Sequence, residues 1–110
     1  MEFHKGILFI RLSGSLVEST IEKFDLDVID FLQDNGIGNI VYNISNLKQI
    51  DCFGINALLS GYEMCKRNKG KSLSCGMFEP TVKHRIKNSR LLNYMYETSD
   101  ELSAINVINL

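Results

Sequence analysis

NISNLKQIDCFGINALLSGY, residues Asn43 to Tyr62, leaves an apolar strand, crosses a polar stretch and enters an apolar helix on four residues, Asp51, Cys52, Phe53 and Gly54. Asp51 is suited to cap that helix, because its carboxylate can accept from the unpaired amides two or three positions on and sits at the positive end of the helix dipole. Gly54, just inside the helix, costs about 1 kcal/mol against alanine, so its presence suggests a crowded surface that needs close backbone approach. Cys52 lies in the first turn, where the dipole favours a thiolate, but no His or Lys adjoins it in sequence to act as a base. Phe53 reads equally as a core ring or as part of a contact surface. Helix starts at the carboxyl ends of strands are where α/β folds place their sites, so this junction is the leading candidate.

Outward from it, the pattern alternates between strands and helices. "GILFIRL" (Gly6 to Leu12) is a β-branched and aromatic run closed by Ser13-Gly14, which predicts a strand. Ser19 and Glu22 form an S-x-x-E capping box before Ile21, Phe24, Val28, Phe31 and Leu32 at helical spacing, and Asn35-Gly36 supplies a left-handed stop. "NIVYNI" (Asn39 to Ile44) is a second strand, followed by a polar loop of about six residues and a helix with Ile55, Leu58, Leu59 and Tyr62 on one face, ending at Gly70. "SLSCGM" (Ser72 to Met77) is a third strand, Pro80 opens a short helix, and "YMYE" (Tyr94 to Glu97) is a fourth strand. Thr98 and Glu101 make a second capping box, predicting a closing helix over 99–106 around Leu102 and Ile105. This order predicts an α/β fold: one small sheet with parallel pairs and packed helices, without linker or repeat.

Composition bounds the function. The chain has 110 residues, 45% hydrophobic and 23% charged, which suits one domain over 1–110. A net charge of -1 gives no general attraction to nucleic acid or an anionic membrane. The longest apolar run falls far short of the roughly 18 residues that would span a bilayer, and a soluble, cytoplasmic protein with no direct membrane insertion is expected. Cys52, Cys65 and Cys75 are odd in number and lack CxxC or His companions, and they read as reduced thiols. His4 and His84 read as surface residues. No acid/base pair, metal cluster or Gly-rich phosphate loop is visible, so neither enzyme activity nor a cofactor is expected. Lys66, Arg67, Lys69 and Lys71 complement a helix C-terminus rather than mark a nucleic-acid site. Charge is nevertheless split: residues 18–34 hold six acids and one base, whereas 66–90 hold eight bases and one acid. Such polarity favours oriented docking or head-to-tail association, and a homodimer is compatible with it.

The segment "VYNISNLKQIDCFGINALLSGY" resembles the signature of STAS domains, the anti-sigma factor antagonists of bacterial sporulation and stress response. In that family a strand ends in Asn-Leu and a loop leads to Met-Asp-Ser-Ser/Thr-Gly-Leu-Gly and a helix. "IRLSGSLV" is similar to the family's first-strand ending, and "FEPTVKHRIKNSRLLNYMYETSDELSAI" resembles its later helix, last strand and final helix. The resemblance implies a small mixed sheet with packed helices that works by docking on a protein partner, an anti-sigma factor kinase in the best-matched group. It places the partner-binding surface at Asp51, Cys52, Phe53, Gly54, Ile55 and Asn56, with Val17 at a first-strand loop position that is aspartate in the family. The serine that the family's kinase phosphorylates corresponds to Cys52, the next hydroxyl to Phe53 and the second signature glycine to Asn56. The resemblance thus implies a kept scaffold and helix cap, and a lost phosphoacceptor. Two alternatives stand beside it: a STAS subunit of another assembly, such as a lipid-transport ABC system or a signalling complex, and a redox-sensitive module using Cys52.

Overall fold

A computed structural model describes residues 1–109. It contains a five-stranded mixed sheet in the order β1-β2-β3-β4-β5, one strand more than the sequence pattern predicts. The addition is β1 (Glu2–His4), antiparallel to β2 (Ile7–Leu16) across a turn in which Lys5 and Gly6 both take positive φ. Its three residues are all exposed, so no hydrophobic alternation announces it. The remaining pairs, β2 with β3 (Asn39–Ile50), β3 with β4 (Ser72–Cys75) and β4 with β5 (Tyr96–Thr98), are parallel.

Two strands outrun their expected ends. Ser13-Gly14 does not stop β2: the chain passes through register shifts there, with Gly14 at φ +73°, and continues to Leu16. The segment read as a polar loop after Ile44 is strand, because Ser13–Leu16 pair with Asn46–Ile50 and bury Leu47 and Ile50. Asp51 therefore follows its strand directly.

Helix α1 (Ile21–Phe24) passes through a π-helical stretch, Asp25–Ile29, into α2 (Asp30–Asn35), which ends on Gly36 in the left-handed region as expected. The wider π turn delays the helical phase, so Phe24, Val28 and Leu32 form the buried stripe and Phe31 rotates out to 37% exposure. The Ser19/Glu22 capping box does not form. Thr20 precedes the helix, and its hydroxyl donates to the Ser15 and Val17 carbonyls instead, closing the turn after β2.

Helix α3 (Cys52–Arg67) buries Gly54, Ala57, Leu58, Gly61 and Cys65. The expected stripe is thus one notch off: Leu58 is core, whereas Ile55, Leu59 and Tyr62 are half-buried at its margin. Small residues win the central face because the helix lies close to the sheet, where a methyl on Gly61 would overlap the Tyr42 hydroxyl. Helix α4 (Pro80–Asn88) begins with proline as expected, its cap being Glu79. A 3-10 turn, Leu91–Asn93, precedes the last strand, which runs over Tyr96–Thr98 instead of the expected Tyr94 to Glu97. Helix α5 (Glu101–Ile108) is capped by Asp100, whose carboxylate accepts from the Ser103 amide at 2.8 Å; Thr98 belongs to β5 and donates to the Ser74 carbonyl. Ala104 is the buried centre of α5, and Leu102 is 67% exposed.

All three helical crossovers step one strand in the same direction, so α1–α2, α3 and α4 share one face of the sheet, packed with Leu8, Ile10, Ile40, Tyr42 and Ile44. Among the described residues, α5 alone covers the opposite face, over Ile7, Phe9, Val41, Leu73 and Cys75. Arg11 ties the edges: its guanidinium grips Glu101 through two bonds of 2.9 Å and Glu2 through one, and Asn43 also donates to Glu101 at 2.8 Å.

Candidate functional site

The site is organised by Asp51. Its backbone is extended, and its two carboxylate oxygens each accept one amide at 3.0 Å, from Gly54 inside α3 and from Glu18 in the loop after β2. The expected cap is present, and it does a second job: one side chain fixes the start of α3 and the loop that carries Val17 against each other. Gly54 explains how they come so close, since any Cβ there would overlap the Leu16 carbonyl oxygen and stand 2.8 Å from Ile50 Cγ1. Gly54 is buried, so it is corrected from a contact residue to a spacer beneath the surface.

Around that joint the other expected residues are accessible to differing degrees. Cys52, Phe53 and Asn56 are exposed, while Ile55 and Val17 are half-buried. Phe53, at 45% exposure, lies outside the core. Two cavities meet at Asp51. The smaller, about 210 Å³, brings Val17 and Asp51 together with Thr81 and Arg85. The larger, about 510 Å³, sets Asp51, Cys52 and Ile55 opposite Thr81, His84 and Arg85. Helix α4 thus supplies a wall of the site that no local motif indicates. Only the density of basic residues in "TVKHRIKNSR" signalled it, and the 30-residue gap to Cys52 is closed by packing alone. The His84 ring is engaged by the Asn88 amide at 3.0 Å. Phe53 and Asn56 line neither cavity.

Electrostatics follows from these contacts. Partial loss of water around the Asp51 carboxylate raises its pKa, but the amides of Gly54 and Glu18, with those of Phe53 and Asp51 itself, outweigh that and hold it below the ordinary value. Asp100 is lowered chiefly by the Ser103 amide, and Glu101 chiefly by its bonds to Arg11. A carboxyl whose folded pKa is depressed stabilises the fold above its unfolded pKa of about 4 and loses that contribution as pH falls through the folded value. Thermal melts are therefore expected to hold a level midpoint down to about pH 5 and drop below about pH 4, with a shallower acid limb in Asp51→Asn. An unchanged limb in that variant would contradict the two-amide geometry.

Burial pushes the Cys65 thiol up to about 12 and the Cys75 thiol up to about 11. Both are packed inside, and Cys52 alone is exposed. Titration of the native protein with a chromogenic disulfide is expected to modify one thiol rapidly and all three only in denaturant. The fast reaction should vanish in Cys52→Ser, and two fast thiols in the native protein would overturn the packing of α3 or β4. Among the described residues no group of three His, Cys, Asp or Glu side chains is arranged to hold a metal ion, and no helix is long and apolar enough to cross a membrane.

A family model described as the STAS domain matches residues 1–104. The anti-sigma F factor antagonist of Paenibacillus polymyxa is 28% identical over 105 residues, spanning 96% of this chain and 89% of that protein. A Thermotoga maritima crystal structure, described as a candidate anti-sigma factor antagonist, superposes with a TM-score of 0.90 at 13% identity, over 99% of this chain and 92% of its own. The anti-sigma factor antagonist SpoIIAA in its unphosphorylated form gives 0.77 at 16% identity, over 99% and 94%. At these identities the two structures establish the likeness of fold.

Proposed function

The chain belongs to the STAS domain family, and from that membership we propose that it is a non-enzymatic, cytoplasmic regulatory domain that binds an anti-sigma factor and so frees a sigma factor. The observation that carries this reading is the end-to-end likeness to the Paenibacillus polymyxa anti-sigma F factor antagonist. The docking surface is the start of α3, where Cys52, Phe53 and Asn56 are exposed on a joint braced by Asp51. Cys52 stands where the family carries its phosphoacceptor serine. A phosphate there would add about -1.5 to -2 charge to the middle of the docking surface, and a protein serine kinase does not transfer phosphate to a thiol. This chain accordingly binds without that switch. Phe53, an exposed ring beside it, serves as an anchor of the kind that carries much of an interface's energy.

Calorimetric titration against the cognate anti-sigma factor tests the reading. Phe53→Ala is expected to weaken binding by about 1 to 3 kcal/mol, roughly 5- to 150-fold in Kd, with an unchanged melting midpoint. Incubation of the parent protein with that kinase and ATP should leave residues 51–54 unphosphorylated by mass spectrometry. Equal affinity of parent and Phe53→Ala would remove the start of α3 as the docking site, and phosphate on this segment would refute the lost switch.

A further inference from the structure

The helical layer on one face of the sheet is electrically two-sided. At one flank, the helical stretch 21–35 exposes Glu22, Asp25, Asp27, Asp30 and Asp34 against the single base Lys23. Towards the other flank, α4 exposes Lys83, Arg85 and Lys87, with Arg90 just beyond it, and the end of α3 exposes Lys66 and Arg67. Helix α3 stands between the flanks, packed on α1, the π stretch and α2 on one side and sharing a cavity wall with α4 on the other. Neither set of charges is used internally: among the described residues the ion pairs are the two made by Arg11, with Glu2 and Glu101.

The lengths match as well. The α3–α4 flank carries two cavities of about 510 Å³ each, one between Asp51, Cys52, Ile55 and Arg85 and one between Tyr62, Glu63, Lys66, Arg67 and Tyr94, so each holds one acid beside its bases. They lie towards opposite ends of α3, a helix about 24 Å long at 1.5 Å per residue. The acidic stretch 21–35 is about 22 Å long by the same rise. It also exposes apolar side chains, Leu26 at 60% and Phe31 at 37%.

From this complementarity we propose that the protein associates head to tail with a second copy of itself, the acidic stretch 21–35 of one copy lying along the basic α3–α4 flank of the next. Because the two flanks are on opposite sides of the layer, one neighbour cannot satisfy both. The contact is heterologous and propagates into a chain or ring rather than closing as a twofold dimer. Opposed surface charges are screened within about 10 Å at 0.1 M salt and reach about 30 Å at 0.01 M, so the association is salt-sensitive. Cys52 and Ile55 lie under the contact, so self-association and partner docking exclude one another; that consequence, unlike the association itself, rests on the function proposed above.

Sedimentation velocity on the full chain decides it. At about 20 mM salt the average mass is expected to climb with protein concentration past that of a dimer, and at about 0.5 M salt to return to the monomer. Asp27→Lys/Asp30→Lys and Lys83→Glu/Lys87→Glu should each lower the association constant at least tenfold at low salt. An equimolar mixture of the two variants should associate again, because each then offers the flank the other lacks. Melting curves verify that both variants are folded. A monomeric parent at every concentration, a mass that levels off at a dimer, association unaffected by salt, or reversed variants that assemble like the parent would each overturn the proposal. So would a parent that stays monomeric yet binds a lysine-rich peptide, since the acidic flank would then serve a different partner.

Discussion

Gly54→Ala is expected to lower the stability of the protein by about 3 kcal/mol, the upper end of the usual cost of forcing atoms into a filled space. The sign is the informative part. On helix propensity alone, alanine at the third residue of α3 should gain about 1 kcal/mol over glycine. Here the added methyl meets the backbone carbonyl of Leu16, and Ile50 Cγ1 stands 2.8 Å away. A backbone carbonyl in a parallel strand cannot swing aside as a side chain could, so the start of α3 must lift away from the end of β2. That movement stretches the two amide bonds to Asp51, which hold α3 and the loop of Val17 in one piece. A fall in melting temperature of roughly 10–20 °C is expected for a domain of this size. Partner binding should weaken with it, because the surface formed by Cys52 and Phe53 loses its footing. A melting point at or above that of the parent would show that α3 does not approach β2 as described.

Leu58→Ala is expected to cost about 2 to 5 kcal/mol, since it deletes a side chain only 1% exposed and leaves a cavity between α3 and the sheet. Against a total stability of about 5 to 15 kcal/mol for a small domain, this change alone would populate unfolded protein near physiological temperature. Leu102→Ala is the comparison. Both residues are leucines on apolar helices, yet Leu102 is 67% exposed, and its removal should change stability by no more than about 0.5 kcal/mol. Chemical denaturation of the two variants side by side checks the assignment. A large loss in Leu102→Ala would mean that α5 presents a different face to Ile7, Phe9 and Leu73.

The contrast between these leucines shows where local pattern fails. Helix α5 carries leucine, isoleucine and valine nearly all round, so its spacing does not choose a buried face. The docking of the helix chooses it, through Ala104 and the grip of Arg11 on Glu101, a contact across 90 residues. Phe31 is a second case. Its position relative to Phe24 is ideal for a regular helix, and the π stretch turns it outward. The capping boxes at Ser19 and Thr98 also fail: α1 starts after Thr20, which makes no side-chain cap and turns its hydroxyl to the Ser15 and Val17 carbonyls, and at α5 the extended backbone of Asp100 puts its carboxylate on the Ser103 amide.

At the candidate site the division is sharper. The resemblance of one segment to a known signature pointed to the family, and the sequence by itself determined the alternation of strands and helices, the helix start at Cys52, the carboxylate cap at Asp51 and the demand for closeness at Gly54. Each is written in short-range spacing or in the chemistry of one residue. Only the tertiary structure decided that "SNLKQI" is strand, because its hydrogen bonds come from β2, some 30 residues earlier. It alone decided that the second oxygen of Asp51 binds the loop of Val17, that Phe53 points outward, and that α4 brings Thr81, His84 and Arg85 to face Cys52. The physical reason is common to all of these. Caps and turns are settled by neighbours within four residues, whereas strand length, exposure and cavity walls depend on which distant surfaces the sheet brings into contact.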